Sequence, residues 1–124
     1  MALFLDHTIV PSHDKEAAAK FIANIFGLEY NGTWGPFAPV QFNDTLSMDF
    51  DDRREVNHHH YAFLASDEEF DSVLQRVKDE GLKYGSGPQT TEDMEINHLH
   101  TGRGFYFRDP QDGHSWEVIT HTYI

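Results

Sequence analysis

Glu117 lies inside Ser115-Trp116-Glu117-Val118-Ile119-Thr120, an apolar and aromatic run. Read as a strand, this run sends Trp116 and Val118 to one face and Ser115, Glu117 and Ile119 to the other. An ionised carboxylate facing a protein interior is costly unless it is paired or holds a cation. On the solvated face of an edge strand it costs little, and taken alone Glu117 reads that way. His7 sits in a similar setting, flanked on its own face by Leu5 and Ile9. His58-His59-His60 adds three imidazoles. His58 and His60 share a face with Ala62 and Leu64, whereas His59 joins Tyr61 and Phe63. A lone strand histidine is more often a core residue than a ligand, and three in a row also read as a surface cluster. Imidazole is nonetheless the commonest metal-binding side chain and an acid or base in the physiological range. Nine histidines in 124 residues make that chemistry worth following.

The elements that must position these groups repeat. Each half starts with a strand, Leu3 to Val10 and then about His58 to Leu64. A helix follows, with apolar positions at i, i+3, i+4 and i+7. In the first half these are Ala18, Phe21, Ile22 and Ile25; in the second they are Phe70, Val73, Leu74 and Val77. Pro11-Ser12 predicts the first helix start, with Ser12 as N-cap, and Gly27 its stop. Ser66-x-x-Glu69 is a capping box, and Gly81 ends the second helix. Gly27-Leu28-Glu29-Tyr30 mirrors Gly81-Leu82-Lys83-Tyr84, and Leu46-Ser47-Met48-Asp49-Phe50 mirrors His114-Ser115-Trp116-Glu117-Val118. Two or three strands complete each half: Glu29–Thr33, Phe37–Phe42 and Leu46–Phe50, then Leu82–Ser86, Phe105–Arg108 and Ser115–Thr120. Asn43-Asp44-Thr45 and Asp109-Pro110-Gln111-Asp112-Gly113 supply the turns before each last strand. The second half alone carries a long polar loop between Gly85 and Gly102. Asp49-Phe50-Asp51-Asp52, continuing into Arg53-Arg54-Glu55, reads as the crossover between halves, with Asp51 and Asp52 solvated.

The repeat strengthens the weak signals. His7 and His60 occupy equivalent first strands, and Asp49 and Glu117 equivalent last strands. Two imidazoles and one or two carboxylates converging near a pseudo-two-fold axis would make a nitrogen and oxygen metal site with room for substrate. Such a set suits Fe(II) and also accepts Mn, Ni, Co or Zn. From spacing alone, His58-x-His60 or His98-x-His100 could also begin a cupin motif. No Glu follows at the needed spacing, however, and two amphipathic helices do not suit that barrel.

Composition narrows the partners. The net charge of −12 argues against nucleic acid or an anionic membrane surface. The absence of Cys excludes disulfides, thiolate metal sites and cysteine nucleophiles. No apolar run approaches the roughly 18 residues of a membrane span. Met1 to Asp6 has neither a basic region nor a long apolar one, so a cytoplasmic protein without a leader is expected. With 39% hydrophobic residues and ten Phe, the chain has the length and the apolar bulk for one domain.

The repeat, together with Leu5-Asp6-His7-Thr8-Ile9-Val10, His60-Tyr61-Ala62-Phe63, and Gly104-Phe105-Tyr106-Phe107 leading into Asp109-Pro110-Gln111-Asp112-Gly113-His114-Ser115-Trp116-Glu117, resembles the vicinal oxygen chelate superfamily. That superfamily holds glyoxalase I, fosfomycin-resistance thiol transferases, extradiol dioxygenases, methylmalonyl-CoA epimerase and bleomycin-resistance proteins. The resemblance covers nearly the whole chain. It implies an α+β fold of two tandem βαβββ modules, about 1–54 and 55–124, forming a curved mixed sheet around a metal-binding cavity in a single domain, 1–124. It implies a homodimer, one divalent ion per site (Fe, Mn, Ni, Co or Zn), and His7, His60 and Glu117 as metal ligands. Tyr106 matches a substrate-facing tyrosine of some relatives. Gln111 lengthens the usual Asp-Pro-Asp-Gly turn by one residue without changing the facing of Glu117. Asp49 matches a position where glyoxalase I uses Glu as a fourth ligand. It is one methylene shorter and runs into the acidic crossover, so three protein ligands are expected.

The resemblance implies a metal that holds two neighbouring oxygens of a small molecule. Ring-cleaving dioxygenation, isomerisation of a thiol adduct and epoxide opening by a thiol all remain open. Tyr106 and His100 are the candidates for handling protons, and Tyr106, Arg103, Arg108 and His98 for contacting substrate. The other histidines receive plain readings: His13 near a helix start, His114 in a turn, His59 and His121 at the surface. The alternative is a ligand-sequestering protein of the bleomycin-resistance type without catalysis. Sequestration needs none of His7, His60 and Glu117, and their presence argues against it.

Overall fold

The computed structural model describes residues 2–124. It divides into two compact units, Met1–Asn57 and His58–Ile124. The first contains β1 (His7–Pro11), α1 (Lys15–Phe26), β2 (Ala38–Gln41) and β3 (Ser47–Asp51). The second contains β4 (His60–Leu64), α2 (Asp67–Asp79), a short 3₁₀ turn at Leu99–Thr101, β5 (Gly104–Arg108) and β6 (Ser115–Ile119). Among the described residues, two helices and six strands thus build the expected α+β pair of modules. Each module has one mixed sheet, in the orders β1-β3-β2 and β4-β6-β5. Among them, no helix is long and apolar enough to cross a membrane.

In the first module β1 runs parallel to β3, and β2 runs antiparallel to it. Strand alternation turns Val10, Ala38, Val40, Met48 and Phe50 inward, where all are buried. Helix α1 packs on β2 and β3 and buries Ala18, Ala19, Ile22, Ala23 and Ile25. The helix starts two residues after the expected cap: Asp14 Oδ1 accepts the Ala17 N–H at 3.2 Å. Ser12, read as the cap, is a buried residue whose N–H donates to the Asp51 carbonyl. Gly27 does stop the helix. Its φ of 71° is the left-handed conformation that glycine adopts without a Cβ penalty.

The second module repeats this plan. β4 runs parallel to β6, and β5 runs antiparallel to it. Phe70 of α2 meets Phe105 of β5 edge-on, with ring centroids 5.2 Å apart, and both are fully buried. The Ser66–Glu69 capping box forms in both directions. Trp116, Phe107 and Val118 fill the rest of the core.

Three sequence expectations are corrected. Glu29–Thr33 forms no ladder, and Leu82–Ser86 keeps only an isolated bridge between Gly85 and Tyr106. Each sheet therefore has three strands, because these segments find no continuous partner edge. β1 begins at His7 and β4 at His60, two to four residues later than expected. Asp51 is not solvated. It is wholly buried and accepts hydrogen bonds from the Arg53 and Arg54 side chains at 2.9–3.1 Å. Those guanidinium donors hold its carboxyl well below the ordinary range.

Candidate active site

Register makes the repeat concrete. In the first module His7 stands opposite Ser47, and Ile9 and Pro39 stand on either side of Asp49. In the second, His60 stands opposite Ser115, and Ala62 and Tyr106 flank Glu117. His7 thus corresponds to His60, Ser47 to Ser115 and Asp49 to Glu117. Asp49 lies within β3 rather than in a crossover.

The second module brings three candidate residues together on one face of its sheet. His60 Nε2 is 2.8 Å from Glu117 Oε1. The His60 ring is about half exposed (47%), whereas the Glu117 side chain is largely covered (16%). On the neighbouring strand β5 Tyr106 stands directly across from Glu117 on the same face, and its ring lies 5.7 Å from that of His60. Burial, and then the Glu117 carboxylate that its hydroxyl faces, push the Tyr106 pKa up to about 12. Tyr106 therefore stays protonated at neutral pH and acts as a hydrogen-bond donor. Ser115 and Glu117 share a face by strand alternation, and Ser115 is buried with its hydroxyl making no hydrogen bond.

In the first module Asp6 Oδ2 lies 2.7 Å from His7 Nδ1, and the bond raises the imidazole pKa. A carboxylate on Nδ1 fixes the tautomer and leaves Nε2 as the outward donor atom, the arrangement typical of metal-binding histidines. Asp49 accepts the Ser47 hydroxyl at 2.6 Å. Asp6 was not among the expected site residues, although its adjacency to His7 was the signal that would have found it.

The donor chemistry fits a divalent ion. Two ligand atoms each about 2.1 Å from one cation at adjacent octahedral positions stand about 3 Å apart, close to the spacing of His60 Nε2 and Glu117 Oε1. Among the described residues no three His, Asp or Glu side chains of one chain converge to hold a metal. His60 and Glu117 form a pair, with Tyr106 behind the carboxylate.

The remaining candidates are scattered. Arg108 extends from the same face of β5, in register with Ser115, and donates to the Gly113 carbonyl at 3.0 Å. Arg103 is engaged elsewhere. It donates to Asp71 at 2.8 Å and to Asp67 at 3.0 Å, and it covers the Phe70 ring at 4.4 Å. Its charge is matched by the two carboxylates of α2. His98 and His100 are exposed on the long loop; His100 has a positive φ of 56° and its ring lies 5.7 Å from Tyr123. His114, read as a turn residue, is completely buried, and its Nδ1 accepts the His59 N–H at 3.0 Å. Asp109 explains why that turn is ordered. Its carboxylate accepts the Asp112, Gly113 and His114 N–H groups and the Trp116 indole N–H.

Residues 4–118 match the family model of the Glyoxalase/Bleomycin resistance protein/Dioxygenase superfamily. Among solved structures, the chain is similar to oxidase ChaP-H2 at 44% identity and a TM-score of 0.91, covering 99% of this chain and 97% of that one. Oxidase ChaP-H1 is similar at 41% identity and the same TM-score, covering 98% of each chain. The glutathione transferase FosA of Serratia marcescens is 26% identical over 121 residues, which is 92% of this chain and 78% of that protein.

Proposed function

We propose that this chain, which belongs to the Glyoxalase/Bleomycin resistance protein/Dioxygenase superfamily, is a divalent-metal-dependent enzyme that oxidises a small molecule bearing two neighbouring oxygens. Its ligands are His60 and Glu117, with His7 of a second copy completing the set in a homodimer. The observation that carries this reading is the 2.8 Å approach of His60 Nε2 to Glu117 Oε1 on a sheet face, with Tyr106 standing across from the same carboxylate. The higher identity to the oxidases than to the glutathione transferase favours oxidation over thiol transfer.

A divalent ion bound there supplies a Lewis-acidic centre for the two substrate oxygens and stabilises the anion that develops on them. The chain's own residues prepare that centre. Asp6 holds the His7 ring so that Nε2 points outward. Tyr106, protonated at working pH, steadies Glu117 and presents an aromatic edge beside the pair. Arg108 offers further N–H groups one residue row away, on the same sheet face.

The test is direct. Protein purified without a histidine tag, loaded anaerobically with Fe(II) and mixed with catechols, should consume dioxygen. His60→Ala and Glu117→Ala should abolish uptake. Glutathione and fosfomycin offered to the same protein should give no adduct. Adduct formation without oxygen uptake would reassign it to the thiol-transferase branch.

A further inference from the structure

The two modules place a serine two residues before the acid of their last strand, on the same face. In the first, the Ser47 hydroxyl donates to Asp49 at 2.6 Å. In the second, the equivalent Ser115 hydroxyl is buried and makes no hydrogen bond, while Glu117 is bonded to His60 and faced by Tyr106 across the ladder. Ser115 itself is 7% exposed and stands directly across from His60 in the β4–β6 register. A buried hydroxyl without a partner is unfavourable, and such groups in native structures call for an explanation.

We infer that Ser115 is a positioning residue for Glu117 in the metal-loaded protein, donating to its carboxylate as Ser47 does to Asp49. This rests on the reading of His60 and Glu117 as ligands. His60 and Glu117 would hold the cation, and the hydrogen bond between them would give way to it. Glu117 still has acceptor capacity to fill and is no longer tied to His60, since an ionised carboxylate accepts about four hydrogen bonds or ligand bonds in all. Tyr106 supplies one donor from β5. Ser115, on the strand of Glu117 itself, supplies the second. Two donors on one carboxylate fix its rotamer, as supporting hydrogen bonds do for metal-ligating side chains.

The metal-free and loaded forms make opposite demands on this hydroxyl, which separates positioning from a merely structural role. Removing it from metal-free protein removes an unpaired buried polar group and should leave the melting temperature unchanged or raised. Removing it from loaded protein removes a donor to a ligand. In a titration with Mn(II) alone, following the free ion by electron paramagnetic resonance, Ser115→Ala should bind about 10- to 100-fold more weakly than the natural chain. Ser115→Thr, which keeps the hydroxyl, should recover most of that loss. Affinity unchanged in Ser115→Ala would overturn the inference. So would a fall in the metal-free melting temperature that accounts for the weaker binding. Glu117→Ala in the same titration keeps the two claims apart. If it binds Mn(II) like the natural chain, the ligand reading fails; if it loses the ion while Ser115→Ala does not, only the role of Ser115 fails.

Discussion

His7 and His60 both engage a carboxylate, but in opposite senses. Asp6 takes Nδ1 of His7 and leaves Nε2 outward, whereas His60 turns Nε2 toward Glu117. Metal binding needs these nitrogens unprotonated, so acid should expel the ion. The raised pKa of His7 makes protonation compete at a higher pH than for an isolated imidazole. Asp6→Asn should move the midpoint of pH-dependent metal loss to lower pH. Tyr106→Phe should weaken Mn(II) binding about tenfold, with no change in pH dependence between 6 and 9, because burial and the nearby Glu117 push the phenol pKa up to about 12. Asp49 tests the number of ligands. Its carboxylate is one methylene shorter than Glu117 and is bonded to Ser47, so Asp49→Ala should leave metal affinity nearly unchanged, short of the roughly 10- to 100-fold loss typical of a second-sphere partner. A loss matching that of Glu117→Ala would make it a fourth ligand.

At the scale of elements, the repeat was legible because alternation and helical spacing are local. The equivalence of His7 with His60, and of Asp49 with Glu117, could be read from residue order and returned in the strand register. Burial set by distant partners could not. Nothing near Asp51 marks it as fully buried, since its neighbours Asp52, Arg53 and Arg54 are exposed. His114 sits beside a turn but is covered by the His59 and Tyr61 rings. The extended segments after each helix resemble strands in composition, yet they lack a partner edge. Asp51 and Asp109 show what their bonds hold. Asp51→Ala should cost about 2 kcal/mol at neutral pH, below the range for breaking a fully buried pair, because its arginines are half exposed and can rehydrate. Its carboxyl pKa is depressed in the fold, so its contribution is complete above the unfolded pKa near 4. It is lost as pH falls through the folded value, so acid melts should converge for the natural chain and Asp51→Ala. Asp109→Ala removes the side-chain acceptor of the Asp112, Gly113 and His114 N–H groups and of the Trp116 indole N–H, although Gly113 keeps its bond to the Asp109 carbonyl. It should cost about 3 kcal/mol, the scale of unsatisfied buried donors.

At the scale of the whole molecule, the ligand pair of one chain needs a third donor, and His7 of a second copy is the one proposed. Sedimentation should then give a mass of twice 14.3 kDa, reflecting a closed two-fold dimer. Mixing His7→Ala with Glu117→Ala protein should restore binding that neither variant has alone, since a mixed dimer holds one intact set. The most direct measurement is the metal content of protein purified without a tag or chelator, beside the same measurement for His7→Ala, His60→Ala and Glu117→Ala. The account predicts one divalent ion per chain in the natural protein and none in the three variants, each still folded by circular dichroism. A full complement of metal in folded Glu117→Ala or His60→Ala would contradict it.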